Sequence, residues 1–199
     1  MQLKDQLIFA TSNPNKIREA NEILGDFMHI VSNKDIGCHE DIPETADTFE
    51  GNALQKARYL SDHYKVNCFS EDTGLEITAL DGAPGVITAR YSGPERDANA
   101  NMDLVLRQLE GKADRSAQFR TAIALIIDGE ENVFEGIVKG RIAFAKSGMG
   151  GFGYDPIFIP DGYDQTFAEL DKDIKNLISH RARAMDKLRN YLQTRQILS

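Results

Sequence analysis

Ala117-Gln-Phe-Arg-Thr-Ala-Ile-Ala-Leu-Ile-Ile127, Asp128-Gly129 and Asn132-Val-Phe-Glu-Gly-Ile-Val-Lys-Gly-Arg-Ile-Ala-Phe144 set the architecture. Both long runs are rich in residues that suit a pleated, half-buried surface. Asp-Gly between two such runs is a hairpin signal, because a tight two-residue turn asks for positive φ at both positions. Strands of this length predict an extended sheet joining two lobes rather than a compact doubly wound sandwich.

On the N-terminal side, Leu7-Ile-Phe-Ala-Thr11 reads as a first strand and Phe27 to Ser32 as a second. Between them, Asn13 and Pro14 make an N-cap and first-turn pair, and Ile17, Ala20, Ile23 and Leu24 give a helical apolar face closing near Gly25. A further helix starts near Asp47 or Thr48, where Asp47 and Glu50 have capping-box spacing. Phe49, Ala53, Leu54, Ala57 and Leu60 form its core stripe. Val66 to Phe69 reads as a short buried strand that bends or stops at Gly74, followed by an alternating strand from Leu75 to Leu80. Met102, Leu104, Val105, Leu106 and Leu109 mark another helix, ending at Gly111. The last helix takes Ser179 as N-cap and buries Ala182, Met185, Leu188 and Leu192. No repeat or linker interrupts this order. Residues 1–199 therefore predict one α/β domain of two lobes: an elongated mixed β-sheet with long strands joining them and helices packed on both.

Composition bounds the function. The chain of 199 residues is 41% apolar and 27% charged, ordinary values for a globular protein. It contains no run of 18 apolar residues, so no membrane span is expected, and Met1 to Gln6 lacks the regions of a signal peptide. Cys38 and Cys68 fit neither a disulfide framework nor a zinc spacing, which makes a reducing cytoplasm the expected location. A formal net charge of −8 argues against a nucleic-acid polymer as partner. It leaves room for a small anion held by focused cations, helix N-termini and a metal.

Charged groups of chemical interest recur along the chain. In Phe69-Ser-Glu-Asp-Thr-Gly-Leu75, adjacent carboxylates close an apolar run. Alone, such a pair reads as a solvated strand end; with a cation, carboxylate oxygens suit magnesium or manganese. Side chains alternate along a strand, so Glu71 and Asp72 cannot both enter one site unless the backbone turns. Asp72 is the expected ligand. Glu44, after Pro43 in an acidic loop, is a possible second one. Lys16 falls in the first turn of a helix, where a cation opposes the dipole unless an anion is near. The Thr11-Ser-Asn-Pro-Asn-Lys16 junction is not a Walker A loop, because the glycines and the Lys-Ser/Thr pair are missing. Asn52 and Lys56, four apart, share a helix face. In Gly148-Met-Gly-Gly-Phe-Gly-Tyr-Asp-Pro156, Phe152 and Tyr154 offer stacking faces and Asp155 an acceptor. His180 and Arg181 repeat the Lys16 anomaly at the last helix, with Lys175 just upstream.

Thr11 to Lys16, Thr48-Phe49 with Asn52-Ala53 and Lys56-Ala57, Glu71-Asp-Thr-Gly-Leu75, Gly82-Ala-Pro-Gly85, Gly151-Phe-Gly-Tyr-Asp-Pro156 and Ser179-His-Arg181 together resemble, in order, the motifs of the inosine triphosphate pyrophosphatase family (Ham1/RdgB type). The resemblance runs from Leu7 to about Leu192. It implies a magnesium-dependent hydrolase, with manganese as a substitute, acting as a homodimer with its nucleotide site in a cleft between the lobes. The substrates would be the purine nucleoside triphosphates ITP, dITP and XTP, cut to the monophosphate and pyrophosphate. Carried over, Thr11, Ser12, Asn13, Pro14, Asn15, Lys16 and Lys56 would hold the triphosphate. Asp72 would ligate the metal and act as base for the attacking water, with Glu44 as a further ligand. Thr73, Phe152, Gly153, Tyr154, Asp155, Lys175, His180 and Arg181 would bind the nucleotide. Many members resembling this chain carry Asp-Asp-Ser where it has Glu71-Asp72-Thr73, which leaves Glu71 unassigned.

The chemistry agrees with these residue types. Water attack on the α-phosphorus needs a metal on the phosphates, a carboxylate for the water and cations for developing charge. A 6-oxopurine presents an acceptor at O6 where adenine presents a donor, so a fixed Arg181 would pair with the first and oppose the second. The competing readings are a non-catalytic nucleotide sensor on the same scaffold and a pyrophosphatase for other modified nucleotides.

Overall fold

The hairpin forms where Asp128-Gly129 places it. Both residues take positive φ, 52° and 81°, and join β4 (Ser116–Ile127) to β5 (Glu130–Ile142). In this computed structural model, which describes residues 6–25 and 28–195, the other strands are β1 (Gln6–Phe9), β2 (His29–Ser32), β3 (Cys68–Ile77) and β6 (Phe158–Pro160). They make one six-stranded mixed sheet in the order β2-β1-β3-β4-β5-β6. β1 pairs parallel with β2 and β3, whereas β5 and β6 pair antiparallel. The helices are α1 (Pro14–Leu24), α2 (Phe49–Tyr64), α3 (Ala98–Gln108), α4 (Lys172–Ile178) and α5 (His180–Thr194). The mixed α/β sheet read from the long strands is what the chain forms.

The chain resolves into two compact units. One is drawn from Met1–Asp72, Thr121–Gly136 and Arg181–Ser199, the other from Thr73–Arg120 and Ile137–His180. Strands β3, β4 and β5 each contribute residues to both. The first unit buries Phe9 against Phe69, with ring centroids 4.2 Å apart, among Leu24, Ile123, Leu125, Met185 and Leu188. The second buries Phe119, Phe158 and Phe167 with Leu75, Ile77, Val105 and Ile157. Burying each such aromatic stabilises its unit by about 1.5–3 kcal/mol.

Two local readings are corrected. Gly74 neither bends nor stops the chain: it is buried within a continuous β3 and has no positive φ. Leu75 and Ile77, both 0% exposed, continue the alternation, and their burial outweighs the modest entropic cost of glycine in a strand. The cap of α2 is Thr48, whose Oγ1 accepts the Gly51 N–H at 3.0 Å, so Asp47 and Glu50 do not form the capping box. Ser179 holds the N-cap position of α5 as read, with extended backbone directly before His180, and it is also the C-cap residue of α4. The second strand is described from His29, and Phe27 lies outside the described residues.

Candidate active site

Both members of the Glu71-Asp72 carboxylate pair are buried, Glu71 at 1% and Asp72 at 8% exposed, which excludes a solvated strand end. Because β3 stays extended through them, they take different partners, as alternation requires. The Glu71 carboxylate receives Arg181 Nε at 2.8 Å and Nη2 at 2.8 Å, and pairs with Lys16 Nζ at 3.2 Å. Arg181 Nη1 turns to Glu19, a buried carboxylate on α1. Asp72 Oδ2 accepts the Asn52 amide at 3.0 Å. Asn52 is itself fixed, because its Oδ1 accepts the Ala46 N–H at 2.9 Å. Lys56 Nζ donates to the Glu71 carbonyl at 2.7 Å and pairs with Glu44.

The sequence places these groups through ordinary local devices. Asn13 caps α1 by accepting the Asn15 N–H at 2.9 Å, and Thr11 Oγ1 accepts the Asn13 N–H at 3.2 Å. That sets Lys16 in the first turn, with Ser12 and Pro14 exposed. Asn52 and Lys56 both lie on the buried face of α2, one helical turn apart. The two misplaced cations therefore have anions of the chain's own. Glu71 answers Lys16, and Glu71 with Glu19 answers Arg181.

Burial and charge pull these groups in known directions. Burial alone would raise Glu71, but Arg181 and Lys16 outweigh it and hold the carboxyl well below its usual range. Burial lowers Lys16, with Glu71 opposing. Arg181, which burial would lower, is raised by Glu71 and Glu19. Asp72 is raised, first by burial and further by Glu44, while Lys56, Lys16 and Asn52 oppose. Three cations, Lys16, Lys56 and Arg181, thus stand among four carboxylates, Glu19, Glu44, Glu71 and Asp72. Glu19 escaped the sequence reading. Its only signal is position, three residues beyond Lys16 on the same helix.

A second group lies in the other unit. Asp155, 3% exposed, accepts the Phe152 N–H at 2.7 Å and pairs with Lys175 Nζ at 2.8 Å. Lys175 Nζ stands 5.1 Å from the centroid of Phe152, a cation–π arrangement. Gly151 and Gly153 hold the loop at φ of 70° and 63°, and a Cβ on Gly151 would collide with the Asp155 carboxylate. Phe152 and Gly153 are half-buried, as is Thr73. His180 stacks on Phe119 with centroids 4.7 Å apart. Tyr154 departs from the expectation of a stacking face: it is 3% exposed, belongs to the core of this unit and donates its hydroxyl to the Thr88 carbonyl at 2.7 Å. A phenol satisfied by the backbone is a packed core residue.

The chain is a mixed α/β protein with one carboxylate–cation cluster and one aromatic–lysine loop cluster. A model of the Ham1 family matches residues 7–191, and the chain belongs to that family. It is 51% identical over 183 residues to a Flavobacterium johnsoniae protein named dITP/XTP pyrophosphatase, covering 92% of this chain and 95% of the relative. A Bacillus subtilis protein of the same name is 45% identical, covering 97% of this chain and all of the relative (100%). Among solved structures, the Staphylococcus aureus Ham1 protein matches with a TM-score of 0.88 at 37% identity, over 96% of this chain and 100% of that one. A nucleoside-triphosphatase / dITP/XTP pyrophosphatase from Mycobacterium abscessus matches at 0.76 with 43% identity, over 92% and 98%.

Proposed function

We propose that this chain hydrolyses ITP, dITP and XTP to the nucleoside monophosphate and pyrophosphate. Relatives named dITP/XTP pyrophosphatase at 41–51% identity support it. The observation that carries it is the Asp72 carboxylate, buried, oriented by Asn52 and set in the field of Lys16, Lys56 and Glu44. Asp72 is the base proposed to hold and deprotonate the attacking water. Lys16 and Lys56 neutralise phosphate charge, and the α1 N-terminus with Thr11 to Asn15 supplies N–H and hydroxyl donors.

The donor set fits a magnesium ion. Glu44 adds to the cost of ionising Asp72, and the cluster as a whole carries one formal negative charge, which a triphosphate would otherwise have to approach unaided. Among the described residues no three acidic, His or Cys side chains form a metal cage. One or two carboxylates completed by substrate phosphates is the usual magnesium arrangement. Glu44 and Asp72 are the residues proposed to hold it. Bound there, the ion would supply Lewis-acid stabilisation of the phosphates and a lowered pKa for the water. Manganese would take the same oxygen ligands.

For the base, Phe152 offers a half-buried ring and Lys175 a donor fixed by Asp155. Arg181 is proposed to read O6. Its fork is held in one orientation by Glu71 and Glu19, which is what discrimination between a carbonyl and an amino group requires. It is 1% exposed, so reading a base includes uncovering it. A homodimer and a cytoplasmic location belong to the same proposal. For the second, the buried free thiols Cys38 and Cys68 suit a reducing compartment.

The test is a panel of ITP, XTP, dITP, GTP, ATP and dUTP with magnesium, scoring monophosphate and pyrophosphate. Turnover confined to ITP, XTP and dITP is expected. Preference for ATP or release of orthophosphate would overturn the proposal. Binding without turnover would leave a nucleotide sensor, and preference for dUTP a different pyrophosphatase.

A further inference from the structure

Glu71 touches no reacting atom in the proposed chemistry, yet its side chain is heavily engaged. Its carboxylate takes Arg181 through Nε and Nη2 and Lys16 through Nζ, and its carbonyl takes Lys56. Three cations from α1, α2 and α5 thus converge on one residue of β3. A buried carboxylate is costly, so a site that only needed to bind phosphate would do better without one beside its lysine. We infer that Glu71 is a positioning residue whose carboxylate aims Lys16 and Arg181 together, tying the cation that receives the phosphates to the guanidinium that reads the base. The inference rests on the pyrophosphatase reading for its catalytic consequence, though not for its binding consequence.

Two effects follow, with opposite signs. Glu71 competes with an incoming polyphosphate for Lys16, whose side chain is 17% exposed. Removing the carboxylate while keeping its shape should therefore tighten binding of a bare polyphosphate. The same change frees the guanidinium fork, and discrimination between an oxo and an amino purine should fall. A merely structural role would weaken binding and leave the discrimination ratio alone.

The experiment uses the full chain as wild type, Glu71→Gln, Lys16→Met and the double variant. Calorimetric titration with inorganic tripolyphosphate is paired with kcat/KM for ITP and ATP. For Glu71→Gln, tripolyphosphate affinity should rise about threefold or more, with the gain absent in the Lys16→Met background. The ITP-to-ATP ratio should drop about tenfold or more. An unchanged ratio, or a tightening that persists without Lys16, overturns the inference. Glu71→Asp, which keeps the charge but is one methylene shorter, serves if Glu71→Gln does not fold. It should lower the ratio in the same direction, and a wild-type ratio there overturns the inference. Should the wild type turn over none of the panel, the pyrophosphatase reading fails, while the tripolyphosphate cycle still decides whether Glu71 competes for Lys16.

Discussion

Replacing Arg181 by Met keeps most of the side-chain volume and removes the guanidinium. In the folded chain that group meets Glu71 through two nitrogens and Glu19 through the third, and Arg181 is 1% exposed. Its loss takes the guanidinium from both carboxylates, Glu71 and Glu19. Removing one partner of a buried pair costs about 3–5 kcal/mol, because the abandoned charge stays desolvated. For a chain of 199 residues that corresponds to a fall in Tm of roughly 6–20 °C. Urea unfolding should show a lower midpoint with an unchanged slope. The loss should depend on pH in one direction. Glu71 is held below its ordinary value in the fold, so its contribution is complete above the unfolded carboxylate value of ~4.3 and fades as pH falls through the folded one. The gap between wild type and Arg181→Met should therefore be full at neutral pH and shrink in acid. Adding Glu71→Gln removes the stranded carboxylate, and the double variant should cost less than the two singles together by about 0.5–3 kcal/mol. A loss below about 1 kcal/mol at pH 7, or strict additivity, would refute the account of a buried, coupled cluster.

Asp72→Asn should lower kcat by about 10²–10⁴-fold while calorimetry still detects ITP binding, and a near-normal rate would remove Asp72 from the base role. Chelation of divalent ions should abolish turnover, with magnesium restoring it; activity persisting in excess chelator would count against the Glu44–Asp72 metal site. Gly151→Ala asks an L-residue to hold a φ of +70° and sets its Cβ 2.8 Å from the Asp155 carboxyl carbon. It should cost about 1–2 kcal/mol in urea unfolding and raise KM more than it lowers kcat, and unchanged kinetics would sever the loop from substrate binding. Asn52→Leu strands the Ala46 N–H and removes the Asp72 donor, so a stability loss of about 1–3 kcal/mol is expected from the same unfolding assay.

How far the sequence was legible depends on the range of the interaction involved. Asp128-Gly129, Asn13-Pro14 and the apolar stripe of α2 act over a few residues, and each formed where its spacing placed it. β6 escaped because three residues carry no period, and α4 because seven residues hold barely two turns. Tyr154 was misread because an aromatic in a glycine-rich loop has the same local signature whether it faces a ligand or a core. Its partner, the Thr88 carbonyl, lies 66 positions away. Gly74 was misread because the burial of Leu75 and Ile77 around it is a property of the assembled sheet.

The ordered motifs, the hairpin and the dipole anomalies at Lys16 and Arg181 are properties of local order, and the amino-acid sequence by itself determined them along with the family. Only the tertiary structure decided which charges face one another. Arg181 meets Glu71 across 110 positions and Glu19 across 162, and Asn52 reaches Asp72 across 20. Such pairings arise when strand and helix faces close on each other. A cation that looks misplaced on its own helix is then answered by a carboxylate from another element, and the strength of that answer comes from the burial that closure creates.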